Sequence, residues 1–198
     1  MTVRDIISVA VHPDDETLGC GGTLLKLKDQ GHRIHWLIVT SPSGFTDDNQ
    51  VIDLKNQYID HAATFYGFDT VYKLEFPSTG LDSIKIGDII MAISKVFNEV
   101  KPDTVFLPFH DDVHSDHRTA FDAAYACTKS FRYPFIKRVY MTEIISETEF
   151  SPPSTHPFQP NVFVDISQHL EKKVQAMGIF ESEMGEHPFP SSAKNIRS

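Results

Sequence analysis

The stretch "VAVHPDDETLGCGG" at residues 9–22 places a short apolar run directly before one histidine, one proline and three acids. In "DIISVAVH" (5–12) a β-branched run lies between a charged residue, Asp5, and the proline at position 13, which predicts a buried strand. Carboxylates this close together repel one another and resist burial, so they need a compensating charge. The stretch therefore predicts a strand whose end carries a functional site.

The rest of the chain alternates apolar runs of strand length with segments of helical periodicity. Further strands are predicted over 33–40, 70–76, 103–110, 136–145 and 161–167, and helices over 21–32, 51–67, 83–102, 115–131 and 168–184. Alternation of this kind indicates βαβ units around a mostly parallel sheet. We predict an α/β fold, a three-layer Rossmann-like domain, with residues 1–198 forming a single domain.

The composition excludes several classes of function. A net charge of −9 argues against nucleic acid or an anionic membrane surface as the main partner, since both require a basic face. No segment approaches the ~20 apolar residues of a transmembrane helix, and the first residues lack the apolar stretch of a signal peptide. Cys20 and Cys127 are the only cysteines, and a chain of 198 residues needs no disulfide staple. We expect a reduced, cytoplasmic protein.

A second polar cluster, "HDDVHSDH" at residues 110–117, follows the fourth predicted strand. In parallel α/β sheets, ligands bind beyond the carboxyl ends of the strands, so both clusters are expected at one rim. Acids and histidines gathered there, with few basic residues, require a cation, and this donor set suits zinc or ferrous iron. A catalytic zinc takes about three protein ligands, which two histidines and one aspartate supply. The residues concerned are His12, Asp14, Asp15, Glu16, Asp111, Asp112, His114, Asp116 and His117.

"AVHPDDETLGCGGTL" followed by "DVHSDH" resembles the PIG-L/LmbE-like family of metal-dependent sugar N-deacetylases, whose marks are an (A/V)HPDDE signature and a downstream HxDH. The resemblance extends from the first strand to the last helix. It implies a metal centre formed by His12, Asp15 and His117. The implied cofactor is Zn²⁺, with Fe²⁺ or another divalent transition metal as alternatives.

The resemblance also implies three catalytic residues. Asp14 is expected to act as the general base that takes a proton from the attacking water and passes it to the departing amine. His114 is expected to stabilise the oxyanion, and Asp116 to orient and charge His114. For Asp116 a structural alternative stays open, because an aspartate at this position commonly caps a helix.

The match is weaker at the positions expected to bind substrate. Close relatives carry Arg-x-x-Glu on the helix after the second strand, where this chain has Lys55 and Tyr58. Lys55 is expected to bind the sugar as a point charge, although a solvated helix face is the simpler alternative. His187, in "SEMGEHPFPSS" (182–192), is expected to line the substrate pocket, with a structural hydrogen bond as the alternative.

Three functions remain open at this stage. The first is a hydrolase that removes the N-acetyl group from an N-acetylglucosamine-type sugar or sugar conjugate, so that the partner is a small acetylated molecule. The second is a metal-containing sugar- or nucleotide-binding protein without turnover, and the third is iron-dependent oxygen chemistry. The family also continues beyond Ser198, so either the sequence is truncated or part of the substrate wall and of a homo-oligomer contact is lacking.

Overall fold

A five-stranded sheet forms the centre of the computed structural model, which describes residues 2–42, 46–151 and 157–198. All of its pairings are parallel, and the strands lie in the order β3-β2-β1-β4-β5. The predicted α/β fold with a mostly parallel sheet is therefore confirmed. The strands are β1 (Asp5–Ala10), β2 (Arg33–Ser41), β3 (Thr70–Pro77), β4 (Thr104–Leu107) and β5 (Arg138–Met141).

Helices cover both faces of the sheet and make it the middle of three layers. The helices are α1 (Asp15–Asp29), α2 (Asn49–Tyr66), α3 (Ile86–Val100), α4 (Ser115–Ala126), α5 (Leu170–Met177) and α6 (Ala193–Ile196). Alternate residues of β1 point to opposite layers, as the period of a strand requires. Ile7 and Val9 pack in the apolar cluster that contains residues of α3 and α4. Ile6 and Ala10 pack in clusters formed with α1, α2 and α5.

Two predicted helices differ most from the structure in their limits. Helix α1 begins at Asp15, six residues before the predicted start, so the acids of the motif belong to its first turn. A helix N-terminus favours carboxylates, which accounts for this position. The last helix, predicted over 168–184, is confined to Leu170–Met177, and a short 3₁₀ turn follows at Glu181–Glu183. Between them Phe180 turns into the core, where it is 1% exposed.

The strand predicted at 161–167 is wrong. Within the described ranges, residues 161–166 have no partner strand and run across α1 as an extended segment. Lys26 of α1 donates to the Asp165 carbonyl at 2.7 Å, and Ile166 packs on Gly22. Ile166 is partly buried on this helix, whereas Val162, Phe163 and Val164 are exposed, so the apolar alternation does not reflect a buried strand face.

None of the helices in the described residues combines the length and apolar character needed to cross a membrane.

The glycines of α1 let neighbouring elements approach its backbone closely. A Cβ at Gly21 would overlap the hydroxyl oxygen of Tyr66, the last residue of α2. That hydroxyl donates to Thr17 Oγ1 at 3.0 Å, and the Tyr66 ring is 2% exposed. Helix α1 is thereby fixed against α2 at the level of its first two turns.

We expect Gly21→Ala to lower the free energy of unfolding, since overpacking costs about 1–3 kcal/mol and outweighs the roughly 1 kcal/mol that alanine gains in a helix. Tyr66→Phe removes the clashing oxygen, so the double variant should recover stability, and denaturant unfolding of all four proteins measures the coupling. Gly87→Ala is the matched control, because Gly87 is exposed on α3 with nothing within 4 Å of the position that a Cβ would take. A Gly21→Ala protein as stable as that control would contradict the expectation.

Candidate active site

The site lies at the carboxyl edge of the sheet, where β1 and β4 are parallel neighbours. Because these strands end side by side, the segments that follow them meet. The turn after β1 is closed by Asp15, whose Oδ2 accepts hydrogen bonds from the backbone N–H groups of Val11 at 2.9 Å and His12 at 2.8 Å. The turn after β4 ends at His114, the N-cap of α4.

His12, Asp15 and His117 each direct one ligand atom toward a common point, and these atoms lie within 4.8 Å of one another. His117 Nε2 lies 3.4 Å from both His12 Nδ1 and Asp15 Oδ2. Asp15 and His117 are buried, and His12 is partly exposed. The structure therefore brings together the three residues that the family resemblance implies as metal ligands.

A buried carboxylate fixes the orientation of His117. The His117 Nδ1–H donates to Asp112 Oδ2 at 2.9 Å, and Thr148 donates to the other oxygen of Asp112 at 2.7 Å. Burial lowers the pKa of His117, but the charges of Asp15 and Asp112 outweigh it and raise this pKa to about 9. The surroundings of His117 thus favour a positive charge, which either a proton or a cation can supply.

A second carboxylate fixes His12. The His12 Nε2–H donates to Asp116 Oδ2 at 3.2 Å, which leaves Nδ1 free of hydrogen on the side of His117. When His117 Nε2 also gives up its hydrogen, the two ring nitrogens and the carboxylate oxygen of Asp15 present three lone pairs that a divalent cation between them would bind. The donor set therefore fits zinc or another divalent transition metal.

The side chain of Asp116 makes a contact that was not predicted from the sequence. Its carboxylate bonds to His12 and accepts from the N–H groups of Thr79 at 2.6 Å and Leu81 at 3.0 Å. Burial raises the pKa of Asp116, but these hydrogen bonds outweigh it and lower the pKa overall. Asp116 does not cap α4 either, because the side chain of His114 does so. The Asp116 carboxylate thus orients His12, a candidate metal ligand, while the backbone N–H of Asp116 contacts His114.

His114 is held by the backbone of Asp116, whose N–H donates to His114 Nδ1 at 3.1 Å. This bond places the proton of a neutral imidazole on Nε2. Burial lowers the pKa of His114, and the nearby rings of His12 and His117 lower it further. The lowered pKa favours the neutral form of His114, which can donate from Nε2 beside the candidate metal ligands.

Asp14 has an unusual backbone, with φ 133° and ψ −25°. Burial raises its pKa well above the ordinary value, and the carboxylates of Asp15, Glu16 and Glu183 raise it further. Glu16 is 1% exposed, and burial raises its pKa to about 8. Four acids therefore share this corner, where a cation would relieve the repulsion between them.

A cavity of about 590 Å³ opens over these groups and is large enough for a small-molecule ligand. Lys55 reaches it from α2 and pairs with Glu183 at 2.7 Å. His187 does not reach it, since this side chain is exposed and its Nδ1 lies 3.2 Å from Asn195 Oδ1. The lining includes His12, Asp14, Asp15, Lys55, Tyr58, His114, Glu147, Phe180 and Glu183.

Three acids of the site, Asp112, Glu147 and Glu183, have no individual role predicted from the sequence. Asp112 lies inside the quoted cluster at 110–117, and its spacing of five residues from His117 is the available signal. Glu147 and Glu183 lie on turns far along the chain and carry no motif, so only the fold reveals them.

Comparisons with known proteins give a consistent result. The family model described as GlcNAc-PI de-N-acetylase (PIG-L) matches residues 7–128. A diacetylchitobiose deacetylase from Thermococcus kodakarensis is 26% identical over 198 residues, covering 93% of this chain and 72% of the relative. A probable N-acetyl-alpha-D-glucosaminyl L-malate deacetylase 2 from Bacillus cereus is 26% identical over 192 residues, covering 91% of this chain and 84% of the relative. The crystal structure of a conserved protein from Thermus thermophilus matches with a TM-score of 0.75 at 25% identity, covering 98% of this chain and 84% of that one.

We expect His117→Ala to lose most of its bound metal, because it removes one of three ligands. Asp112→Asn should weaken metal affinity about 10–100-fold by disturbing the orientation of His117. Metal analysis of the purified proteins after dialysis measures both effects, with His61→Ala on the exposed face of α2 as the control. Parental stoichiometry in His117→Ala would remove His117 from the ligand set.

Proposed function

Because the chain belongs to the GlcNAc-PI de-N-acetylase (PIG-L) family, we propose that it is a zinc-dependent hydrolase that removes the N-acetyl group from an N-acetylglucosamine-type sugar or sugar conjugate. Its similarity to diacetylchitobiose and glucosaminyl-malate deacetylases supports this class of substrate. The observation that carries the proposal is the convergence of ligand atoms of His12, Asp15 and His117, at a place where His12, Asp14 and Asp15 line one cavity.

His12, Asp15 and His117 would hold the metal ion. A bound divalent cation supplies Lewis acidity, which brings the pKa of a water molecule towards ~7 and polarises a carbonyl group. Zinc is the proposed occupant, because two imidazoles and one carboxylate are a common catalytic zinc set, and ferrous iron is the main alternative. Asp112 and Asp116 keep the two imidazoles in the tautomers that binding requires.

Asp14 is the proposed general base. Its side chain lines the cavity next to the ligand group, whereas the carboxylate of Asp15 is engaged with the backbone of Val11 and His12. Asp14 would accept a proton from the attacking water and return it to the amine as the C–N bond breaks, so that one carboxyl group serves both steps.

His114 is the proposed oxyanion donor. Its Nδ1 accepts from the backbone of Asp116, so Nε2 carries the proton that can donate to the acetyl oxygen as negative charge develops. The resemblance leads one to expect a charged imidazole here. The lowered pKa of His114 favours the neutral form, which donates the same hydrogen bond.

Lys55 is the proposed sugar-binding residue on the α2 side of the cavity. Its ammonium group lies 2.7 Å from Glu183, so the pair presents both a donor and an acceptor to sugar hydroxyls. His187 lies outside the cavity, so it would bind only a part of a sugar conjugate that extends beyond the cavity, and its role in substrate binding stays a prediction. The cytoplasmic setting is also part of the proposal, because Cys20 and Cys127 are both free and buried.

Amine release from N,N'-diacetylchitobiose and from N-acetylglucosamine derivatives tests the activity, with the zinc-loaded protein as the catalyst. We expect Asp14→Asn to keep its metal and to lose turnover by about 10²–10⁴-fold, the usual effect of removing a general base. Asp15→Asn is the matched neighbour, and it should lose metal as well as activity. An Asp14→Asn protein that hydrolyses its sugar at the parental rate would refute the assignment, and sugar binding without amine release in the parent would favour the binding protein.

We expect Lys55→Ala to lower kcat/KM about tenfold or more, mainly through KM, because it removes a charge-assisted hydrogen bond worth ~1.5–3 kcal/mol. Metal content should not change, since Lys55 is not among the ligand groups. Lys95→Ala, on the exposed face of α3, is the control for loss of a lysine. Unchanged kcat/KM in Lys55→Ala would assign this lysine to a structural ion pair.

A further inference from the structure

The backbone of Asp14 is held in a conformation that side chains rarely adopt. Its φ of 133° is the largest of the five positive values found at non-glycine positions in the described residues. Such a conformation costs of the order of 1–3 kcal/mol and persists only where neighbouring groups enforce it. Because φ and ψ of Asp14 also direct its side chain, relaxation of this strain would move the carboxyl group within the cavity.

Hydrogen bonds hold the peptide groups on both sides of the Asp14 Cα. The Asp14 carbonyl accepts from the N–H groups of Thr17 at 2.8 Å and Leu18 at 2.9 Å, which fixes ψ as part of the first turn of α1. The Asp14 N–H donates to Glu16 Oε2 at 3.2 Å. This second contact opposes rotation about φ, the angle that is strained.

Glu16 is itself held by a chain of hydrogen bonds that ends in the core. Its Oε1 accepts from the Thr17 hydroxyl at 2.6 Å, and Thr17 Oγ1 accepts from the Tyr66 hydroxyl at 3.0 Å. All three side chains are at most 2% exposed. The Tyr66 hydroxyl in turn lies against the backbone of Gly21. The Glu16 carboxyl group therefore has one position available to it.

Glu16 has no other function in the site described above. It is not among the candidate metal ligands in the described residues, and it does not line the cavity. Burying a carboxyl group is costly, and a glutamine or an apolar residue would be less expensive at this position. Instead, its two carboxyl oxygens accept hydrogen bonds, one from the backbone N–H of Asp14 and one from the hydroxyl of Thr17.

We propose that Glu16 is a positioning residue, which holds Asp14 in its strained backbone conformation and so aims the general base at the reacting water. The inference rests on the proposed role of Asp14. It assigns to the last acid of the HPDDE motif a task different from metal binding and from proton transfer. The positioning chain runs from Tyr66 at the end of α2 through Thr17 and Glu16 to Asp14.

The test compares Glu16→Ala with Glu16→Gln in the zinc-loaded protein, with kcat, KM and metal content measured for each. Glu16→Ala should lower kcat about 10–100-fold at parental KM and metal content, because a misplacement of about 1 Å costs up to ~10²-fold. Glu16→Gln keeps an acceptor oxygen for the Asp14 N–H and should recover kcat to within about threefold of the parent. A role in folding alone would not produce this separation of kcat from KM and metal content.

A second pair of variants keeps the test decisive if Glu16→Ala does not fold. Thr17→Val removes the anchor of Glu16 with little change of volume and should lower kcat about 3–10-fold. Thr23→Val, on the same helix about two turns further on, is the matched control and should retain the parental kcat.

Two results would overturn the inference: parental kcat in Glu16→Ala or in Thr17→Val, or a loss of kcat that only follows a loss of metal. Assaying Asp14→Asn together with these variants distinguishes a failure of the positioning role of Glu16 from a failure of the proposed role of Asp14. If Asp14→Asn is inactive while the Glu16 and Thr17 variants are fully active, only the positioning role fails. If Asp14→Asn is fully active, the assignment of the base fails.

Discussion

The site depends first on the two hydrogen bonds that the Asp15 carboxylate accepts from the backbone of Val11 and His12. They fold the chain back at the end of β1, so that α1 begins at once and its first turn carries the acids. The same oxygen faces His117, which arrives from the neighbouring strand. One carboxylate thus joins the local turn to the long-range contact. The turn and the contact with His117 both shield the Asp15 carboxylate from water. A cation would compensate its negative charge and that of the neighbouring carboxylates.

Much of this arrangement can be predicted from the sequence, because it follows from local patterns and a general property of parallel sheets. Apolar runs and helical periodicity locate the five strands of the sheet. The position of the two polar clusters after the first and fourth predicted strands is enough to place His12 and His117 at one rim, since those strands are parallel neighbours. Residue types then restrict the chemistry, and the family motifs assign the individual roles.

The failures arise where a side chain's partner is distant in sequence. The Asp116 carboxylate contacts His12 and accepts hydrogen bonds from the N–H groups of Thr79 and Leu81. No sequence motif predicts that the loop at Thr79 and Leu81 lies there. The segment at 161–166 has the alternation of a strand, but Ile166 packs, partly buried, on Gly22 of α1 and pairs with no strand. Glu183 reaches Lys55 only because Phe180 anchors the preceding turn in the core. Tertiary packing decides each case, and local pattern cannot anticipate it.

The separation of the two histidines along the chain has a thermodynamic consequence. His12 and His117 are 105 residues apart, so an unfolded chain that held both at one ion would lose loop-closure entropy that the folded chain has already lost. A ligand that binds only the native state stabilises it by mass action, by ≈ 2.7 kcal/mol when its free concentration is 100 times its dissociation constant. A protein that binds its ion in this way is therefore more resistant to unfolding and to proteolysis wherever the metal is plentiful. The abundance of the folded enzyme would then report on the metal status of its surroundings, quite apart from its catalytic rate.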